Sequence, residues 1–144
     1  MSTLFQPLTT LSGLPGEALG ETFTFDDAKP LQLDSGAEIK PLTVAWKTYG
    51  KLNAQKSNAF LLCHALTGDQ YASDTHPVTG KPGWWSSMVG AGLPIDTDRF
   101  FVICVNVIGG CMGSSGPHDD DPTTGKPYGL SFPFFNVFFL YKIR

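Results

Sequence analysis

Apolar residues fall into short continuous runs and several alternating ones, and the polar stretches between them set the order of elements. Phe60–Cys63 is apolar throughout and stops at His64, where small and polar residues begin. A run bounded in this way predicts a strand buried on both faces. Phe101–Val107, opened by Arg99 and closed by Gly109-Gly110, predicts a second strand of the same kind, its parallel neighbour. Leu42–Tyr49 alternates, with Val44, Trp46 and Thr48 on one face and Thr43, Ala45, Lys47 and Tyr49 on the other. Thr22–Asp26 also alternates and predicts a half-buried strand. Leu31–Leu33 and Ala37–Ile39 flank Asp34-Ser35-Gly36, the composition of a hairpin turn.

The intervals carry less order. Residues 1–20 are polar and aperiodic, which predicts an extended lead-in. Asn53–Ser57 is a polar connector into the first buried strand. The interval from Gly68 to Asp98 is long enough for a crossover that includes a short helix. Trp84 and Trp85 cannot both face one side of a regular element. Either one plugs the core while the other lines a cleft, or both are core plugs. Gly113–Gly129 reads as a long polar loop. The last stretch, residues 134–144, is aromatic-rich, and Phe134–Tyr141 within it is uncharged, the profile of an aggregation-prone segment. Strands first, then strand, crossover and strand, predict an α/β fold in which an antiparallel start feeds parallel strands.

Composition narrows the function classes. A chain of 144 residues with 42% apolar residues has enough material for one domain with a core. A net charge of −3 argues against a nucleic-acid partner. Three cysteines imply no disulfide framework, and a reducing, cytoplasmic setting fits them. No signal-peptide pattern opens the chain, and no apolar run approaches membrane-spanning length.

The chemistry concentrates where the two apolar runs end. In open α/β sheets, ligands gather at the carboxyl ends of strands. His64-Ala65-Leu66-Thr67-Gly68-Asp69 lies there, with small residues for close approach and backbone N–H groups suited to a developing oxyanion. An ordinary strand-to-helix turn is the alternative. Gly109-Gly110-Cys111-Met112-Gly113 has the outline of a nucleophile elbow with cysteine for serine. An elbow must open into a helix, and the glycine and prolines after Ser115 oppose one, so a tight glycine-lined loop fits better. His118 beside Asp119, Asp120 and Asp121 hints at a metal, yet adjacent acids in a loop do not converge on one ion, and no metal is expected.

Several pieces in order resemble one family. They are His64-Ala65-Leu66-Thr67-Gly68-Asp69, Gly83-Trp84-Trp85, Ile95–Cys104, Asn106–Cys111 with Gly113-Ser114-Ser115-Gly116-Pro117, and Pro122 with Thr124–Gly129. Over about Phe23 to Pro133 they resemble the amino-terminal part of homoserine O-acetyltransferase, an α/β-hydrolase family. The resemblance implies an incomplete α/β-hydrolase fold over residues 21–133. It also implies acetyl transfer from acetyl-CoA to the hydroxyl of L-homoserine, in methionine biosynthesis, through an acyl-enzyme. Acetyl-CoA is then a co-substrate and no cofactor is needed. The family is cytoplasmic and commonly dimeric, with no nucleic-acid or membrane partner.

By the same resemblance Leu66 supplies an oxyanion N–H, and Thr67 and Gly68 shape the pocket. The family's serine, aspartate and histidine are expected beyond these residues, so no catalytic residue is assigned and the chain alone is expected to be inactive. The acidic run at His118–Asp121 and the tail from Phe134 depart from the family pattern. Three other readings stand beside this one. They are a non-catalytic β-rich binding module, a homoserine O-succinyltransferase or serine O-acetyltransferase by descent, and a cysteine hydrolase using Cys111.

Overall fold

The structure is a computed structural model and describes residues 20–25 and 30–134. The predicted lead-in up to Leu19, Asp26, and the aromatic run beyond Phe134 lie outside the described residues. Ten strands follow in order: β1 (Glu21–Thr24), β2 (Leu31–Gln32), β3 (Glu38–Ile39), β4 (Thr43–Tyr49), β5 (Ala59–Leu62), β6 (Val89–Gly90), β7 (Ile95–Asp96), β8 (Phe101–Val105), β9 (Asp120–Asp121) and β10 (Lys126–Pro127).

Four of them form one sheet in the order β1-β4-β8-β5. β1 and β8 each run antiparallel to β4, and β5 runs parallel to β8 with Leu62 beside Cys104. This is the predicted antiparallel start followed by a parallel pair. β2 and β3 form the predicted hairpin. Its turn closes through Gly36 N–H to the Leu33 carbonyl at 2.9 Å, with Gly36 at φ +82°, a conformation that favours glycine.

The burial expected of the two apolar runs is corrected. β8 alternates: Val102 and Cys104 are fully buried, while Phe101, Ile103 and Val105 are half-buried. β5 is an edge strand on which only Leu62 is buried, and Leu61 is 64% and Phe60 41% exposed. Among the described residues no strand pairs with the outer edge of β5, which is why its side chains stay open. β1 is exposed along its length rather than half-buried. Phe23 and Phe25 instead pack edge to face, with ring centroids 5.0 Å apart.

The predicted crossover helix is also absent among the described residues. Gly68 to Asp98 runs through turns and the short parallel pair β6–β7. Prolines at 77, 82 and 94 oppose a helix there. Side chains also take the backbone donors: Asp69 Oδ1 accepts from Tyr71 N–H, and His76 Nδ1 accepts from the N–H groups of Val78 and Thr79.

Among the described residues two clusters form the core. Tyr49, Leu62, Ala72, Val89, Val102 and Cys104 pack under the parallel pair. Leu33, Ile39, Leu42, Ile108 and Phe132 join the hairpin to the segment after β8. That polar segment is not wholly solvated, because Ser114 and Ser115 are buried. Where β8 ends, their hydroxyls accept the N–H groups of Ala45 and Thr43 at 2.9 and 2.8 Å, so they continue the pairing of β4. Beyond them β9 and β10 make a small ladder, followed by a 3-10 turn at Gly129–Ser131.

Tyr49 ties the first cluster to the crossover. Its hydroxyl donates to the Gln70 carbonyl at 3.1 Å and accepts from Ser73 N–H at 3.3 Å. Burial is the main cause that pushes its phenol up to about 12. Burial, then the carboxylates of Asp69 and Asp74, raise Tyr71 to about 12. A raised pKa means the folded state keeps protons that the unfolded state releases near pH 10. Stability from these groups is therefore complete below about pH 10 and is lost as pH rises toward about 12. Thermal unfolding measured across that window should show the midpoint falling. Tyr49→Phe should flatten the fall, while losing about 1 kcal/mol for each hydrogen bond removed at neutral pH. An unchanged alkaline profile in the variant would contradict the assignment.

Candidate functional site

β5 and β8 are parallel, so the loops that leave them emerge at the same end of the sheet. His64 joins those loops. Its Nε2 accepts the N–H of Val107 at 3.2 Å, and its Nδ1 lies 2.7 Å from the Ala65 carbonyl. Only the neutral tautomer with hydrogen on Nδ1 satisfies both contacts. A second, buried tie runs from Gln70 Nε2 to the Met112 carbonyl at 2.7 Å. The His64–Asp69 loop and the Gly109–Gly113 turn therefore rim one end of the sheet together.

Leu66, Thr67 and Gly68 sit at the tip of the first loop. Leu66 is 94% exposed, Thr67 is exposed and Gly68 is half-buried. Gly68 N–H donates to the Ala65 carbonyl at 2.8 Å and closes the turn. A Cβ on Gly68 would meet His64 Cβ at 3.2 Å, so the residue packs closely against the imidazole. Among the described residues the Leu66 N–H has no hydrogen-bond partner.

Sequence reasoning missed the part played by Asp69 and His76. Asp69 Oδ2 lies 2.8 Å from His76 Nε2, and Asp69 Oδ1 accepts from Tyr71 N–H at 2.8 Å. The Asp69 carbonyl accepts the indole N–H of Trp84 at 2.9 Å. His76 uses both nitrogens, since Nδ1 accepts from Val78 and Thr79, so it is a clamp and not a free base. Seven residues separate the pair, and no motif marks it. The available signal was local: Asp two residues before a backbone N–H that it caps. Lys47 on β4 adds an ion pair to Asp74 at 2.7 Å.

The tryptophans match neither arrangement expected of them. Trp84 is 40% and Trp85 37% exposed, and their rings stack on each other at 5.5 Å. They occupy a turn, not a regular element, so adjacent side chains can share a side. Gly83 lets this turn seat against the crossover. A Cβ there would lie 2.5 Å from the Ala72 carbonyl carbon and oxygen.

Cys111 is exposed, and among the described residues no α-helix follows it. Among the described residues no serine or cysteine is hydrogen-bonded to a histidine. Cys104 is buried, and desolvation is the main cause that raises its thiol to about 12. His118 lies 3.2 Å from Asp119, whose other oxygen accepts from Gly116 N–H. Among the described residues no group of three metal-ligating side chains converges. A cavity of about 300 Å³ opens between the hairpin and the β9–β10 segment, lined by Ile39, Lys40, Asp119, Tyr128 and Phe132 among others. Leu66, Thr67 and Gly68 do not line it.

No family model matches the chain. It is 58% identical over 113 residues to homoserine O-acetyltransferase of Rhodopseudomonas palustris strain BisB18, covering 78% of this chain and 28% of that protein. It is 59% identical over 118 residues to homoserine O-acetyltransferase of Caulobacter vibrioides, covering 82% of this chain and 31% of that protein. Among solved structures it is similar to homoserine O-acetyltransferase from Bacillus anthracis, with a TM-score of 0.75 at 29% identity over 85% of this chain and 34% of that one. It is also similar to esterase E22, with a TM-score of 0.72 at 35% identity over 83% of this chain and 33% of that one. The sheet is part of an α/β-hydrolase fold. The chain spans less than a third of the length of those curated relatives.

Asp69 should be the most sensitive side chain near the loop. Asp69→Ala removes the partner of His76 and the acceptor for Tyr71 N–H, and should destabilise the chain by about 1–3 kcal/mol. Denaturant unfolding measures the loss. Proteolysis should show new cleavage between Tyr71 and Lys81, and an unaltered digestion pattern would contradict the clamp.

Proposed function

We propose that this chain, which over the segment matched is similar to homoserine O-acetyltransferases, belongs to that family of acyltransferases and serves acetyl transfer from acetyl-CoA to the hydroxyl of L-homoserine. The observation that carries the proposal is the tip of the loop after β5. Leu66 is an exposed residue beyond the carboxyl end of a parallel strand pair, and its N–H has no partner among the described residues. A donor so placed suits an oxyanion, because it has no ground-state bond to break.

In this mechanism the family's serine attacks the thioester carbonyl, and the oxygen that gains negative charge takes the Leu66 N–H. Collapse of that intermediate expels the thiol of coenzyme A. The homoserine hydroxyl then attacks the acyl-serine, and the same N–H holds the second oxyanion until the ester leaves. Thr67 and Gly68 shape the wall beside it. In this reading the described residues contribute the donor and its support, and the nucleophile is the family's serine; no serine–histidine hydrogen bond occurs among the described residues. A homodimer working in the cytoplasm is part of the same proposal and rests on the family resemblance. No helix among the described residues is long and apolar enough to cross a membrane.

The test replaces the matching 118-residue segment of the Caulobacter relative with that of this chain. Acetyl-CoA consumption dependent on L-homoserine is the readout. The chimera should turn over. Leu66→Ala, which keeps the backbone donor, should retain most of that rate. Leu66→Pro, which removes the donor, should lower kcat by about 10²–10³-fold with an unchanged melting temperature. A Leu66→Pro chimera as fast as its parent would remove Leu66 from the oxyanion site.

A further inference from the structure

The Ala65–Leu66 peptide is one rigid plane, so whatever holds its carbonyl also aims its N–H. Among the described residues the only cis peptide is Lys40–Pro41, so this unit is trans. In a trans unit the carbonyl of one residue and the N–H of the next point in opposite directions. Two donors hold the Ala65 carbonyl: Gly68 N–H at 2.8 Å and His64 Nδ1–H at 2.7 Å. The Leu66 N–H then points away from both of those donors, and Leu66 itself is 94% exposed.

The imidazole is itself immobilised. Val107 N–H reaches its Nε2 at 3.2 Å from the segment after β8. Gly68 packs against the ring, where a Cβ would meet His64 Nδ1 at 3.4 Å and Cβ at 3.2 Å. The ring thus carries a donor on one nitrogen and an acceptor on the other, in a fixed frame that spans both loops.

We propose that His64 is a positioning residue that sets the direction of the Leu66 N–H by donating from Nδ1 to the Ala65 carbonyl. The proposal deepens the acyl-transfer reading and rests on it for its functional meaning, although the orientation itself does not. The competing role is a plain staple, in which only the bond to Val107 matters.

Two substitutions separate these roles. The side-chain nitrogen of asparagine occupies the place of Nδ1, so His64→Asn keeps the bond to the Ala65 carbonyl and drops the tie to Val107. The side-chain amide of glutamine reaches the place of Nε2, so His64→Gln keeps an acceptor for Val107 and drops the carbonyl bond. In the full 144-residue chain, residual dipolar couplings report the Leu66 N–H direction. His64→Asn should keep the parent coupling at Leu66, and His64→Gln should change it. The reverse pattern, or equal behaviour of the two variants, would overturn the proposal.

The unsubstituted chain provides a check that needs no variant. Leu66 N–H should exchange with solvent near the rate of an unprotected amide, and protection beyond about 100-fold would mean that it is bonded inside the loop. In the chimera, His64→Gln should lower kcat by about 10–100-fold with KM little changed, and His64→Asn should stay at least tenfold above it. If the parent chimera has no turnover, the acyl-transfer reading fails, while the couplings and exchange rates still decide the role of His64.

Discussion

β8 is hydrogen-bonded along both edges, to β4 on one side and β5 on the other, and the rest of the described structure depends on that double pairing. Because β5 is parallel to β8, two chain segments distant in sequence must leave the sheet at the same end. That places His64 within reach of Val107, and Gln70 within reach of Met112. Because β4 is antiparallel to β8 and longer, its first residues extend beyond the end of β8. Ser114 and Ser115 meet the donors there, and so the segment after the glycine turn is drawn back over the sheet. The position of the turn follows from backbone groups that need partners.

The loops at this end carry few regular hydrogen bonds of their own, and side chains supply the order instead. Asp69 accepts from His76 and from Tyr71 N–H, and its carbonyl holds Trp84. Tyr49 reaches up from β4 to the Gln70 carbonyl and to Ser73 N–H. These contacts tie a polar crossover to an apolar sheet without a helix between them. They also leave the Leu66 N–H, like those of Thr67 and Asp69, without a partner among the described residues. A preorganised donor of that kind is what charge stabilisation in acyl transfer requires.

The outer edge of β5 carries apolar side chains that stay open. Phe60 and Leu61 are apolar and open, and the chain covers about a third of each solved relative to which it is similar. Their apolarity belongs to a strand suited to burial. Among the described residues nothing covers it, and the sequence pattern and the observed exposure differ for that reason.

Local pattern was enough for the elements whose cause is local. The alternation of Leu42–Tyr49, the apolar run ending at His64 and the Asp-Ser-Gly turn each mark an element through the chain's own periodicity or turn chemistry, and the structure has β4, β5 and the β2–β3 hairpin there. The order of strands, and a few short pieces such as His64–Asp69, carried the family resemblance and the choice of candidate site. Tertiary structure decided what depends on a distant partner. Burial of β5 depends on a neighbour at its outer edge, and the helix expected between Gly68 and Asp98 gave way to turns held by Asp69 and His76. Trp84 and Trp85 stack because the seat of Gly83 on Ala72 brings the turn there. The direction of the Leu66 N–H depends on His64 bridging two loops that are adjacent only after β5 and β8 pair. Periodicity records which face of a segment is apolar; the identity and distance of the group that meets that face exist only in the folded chain.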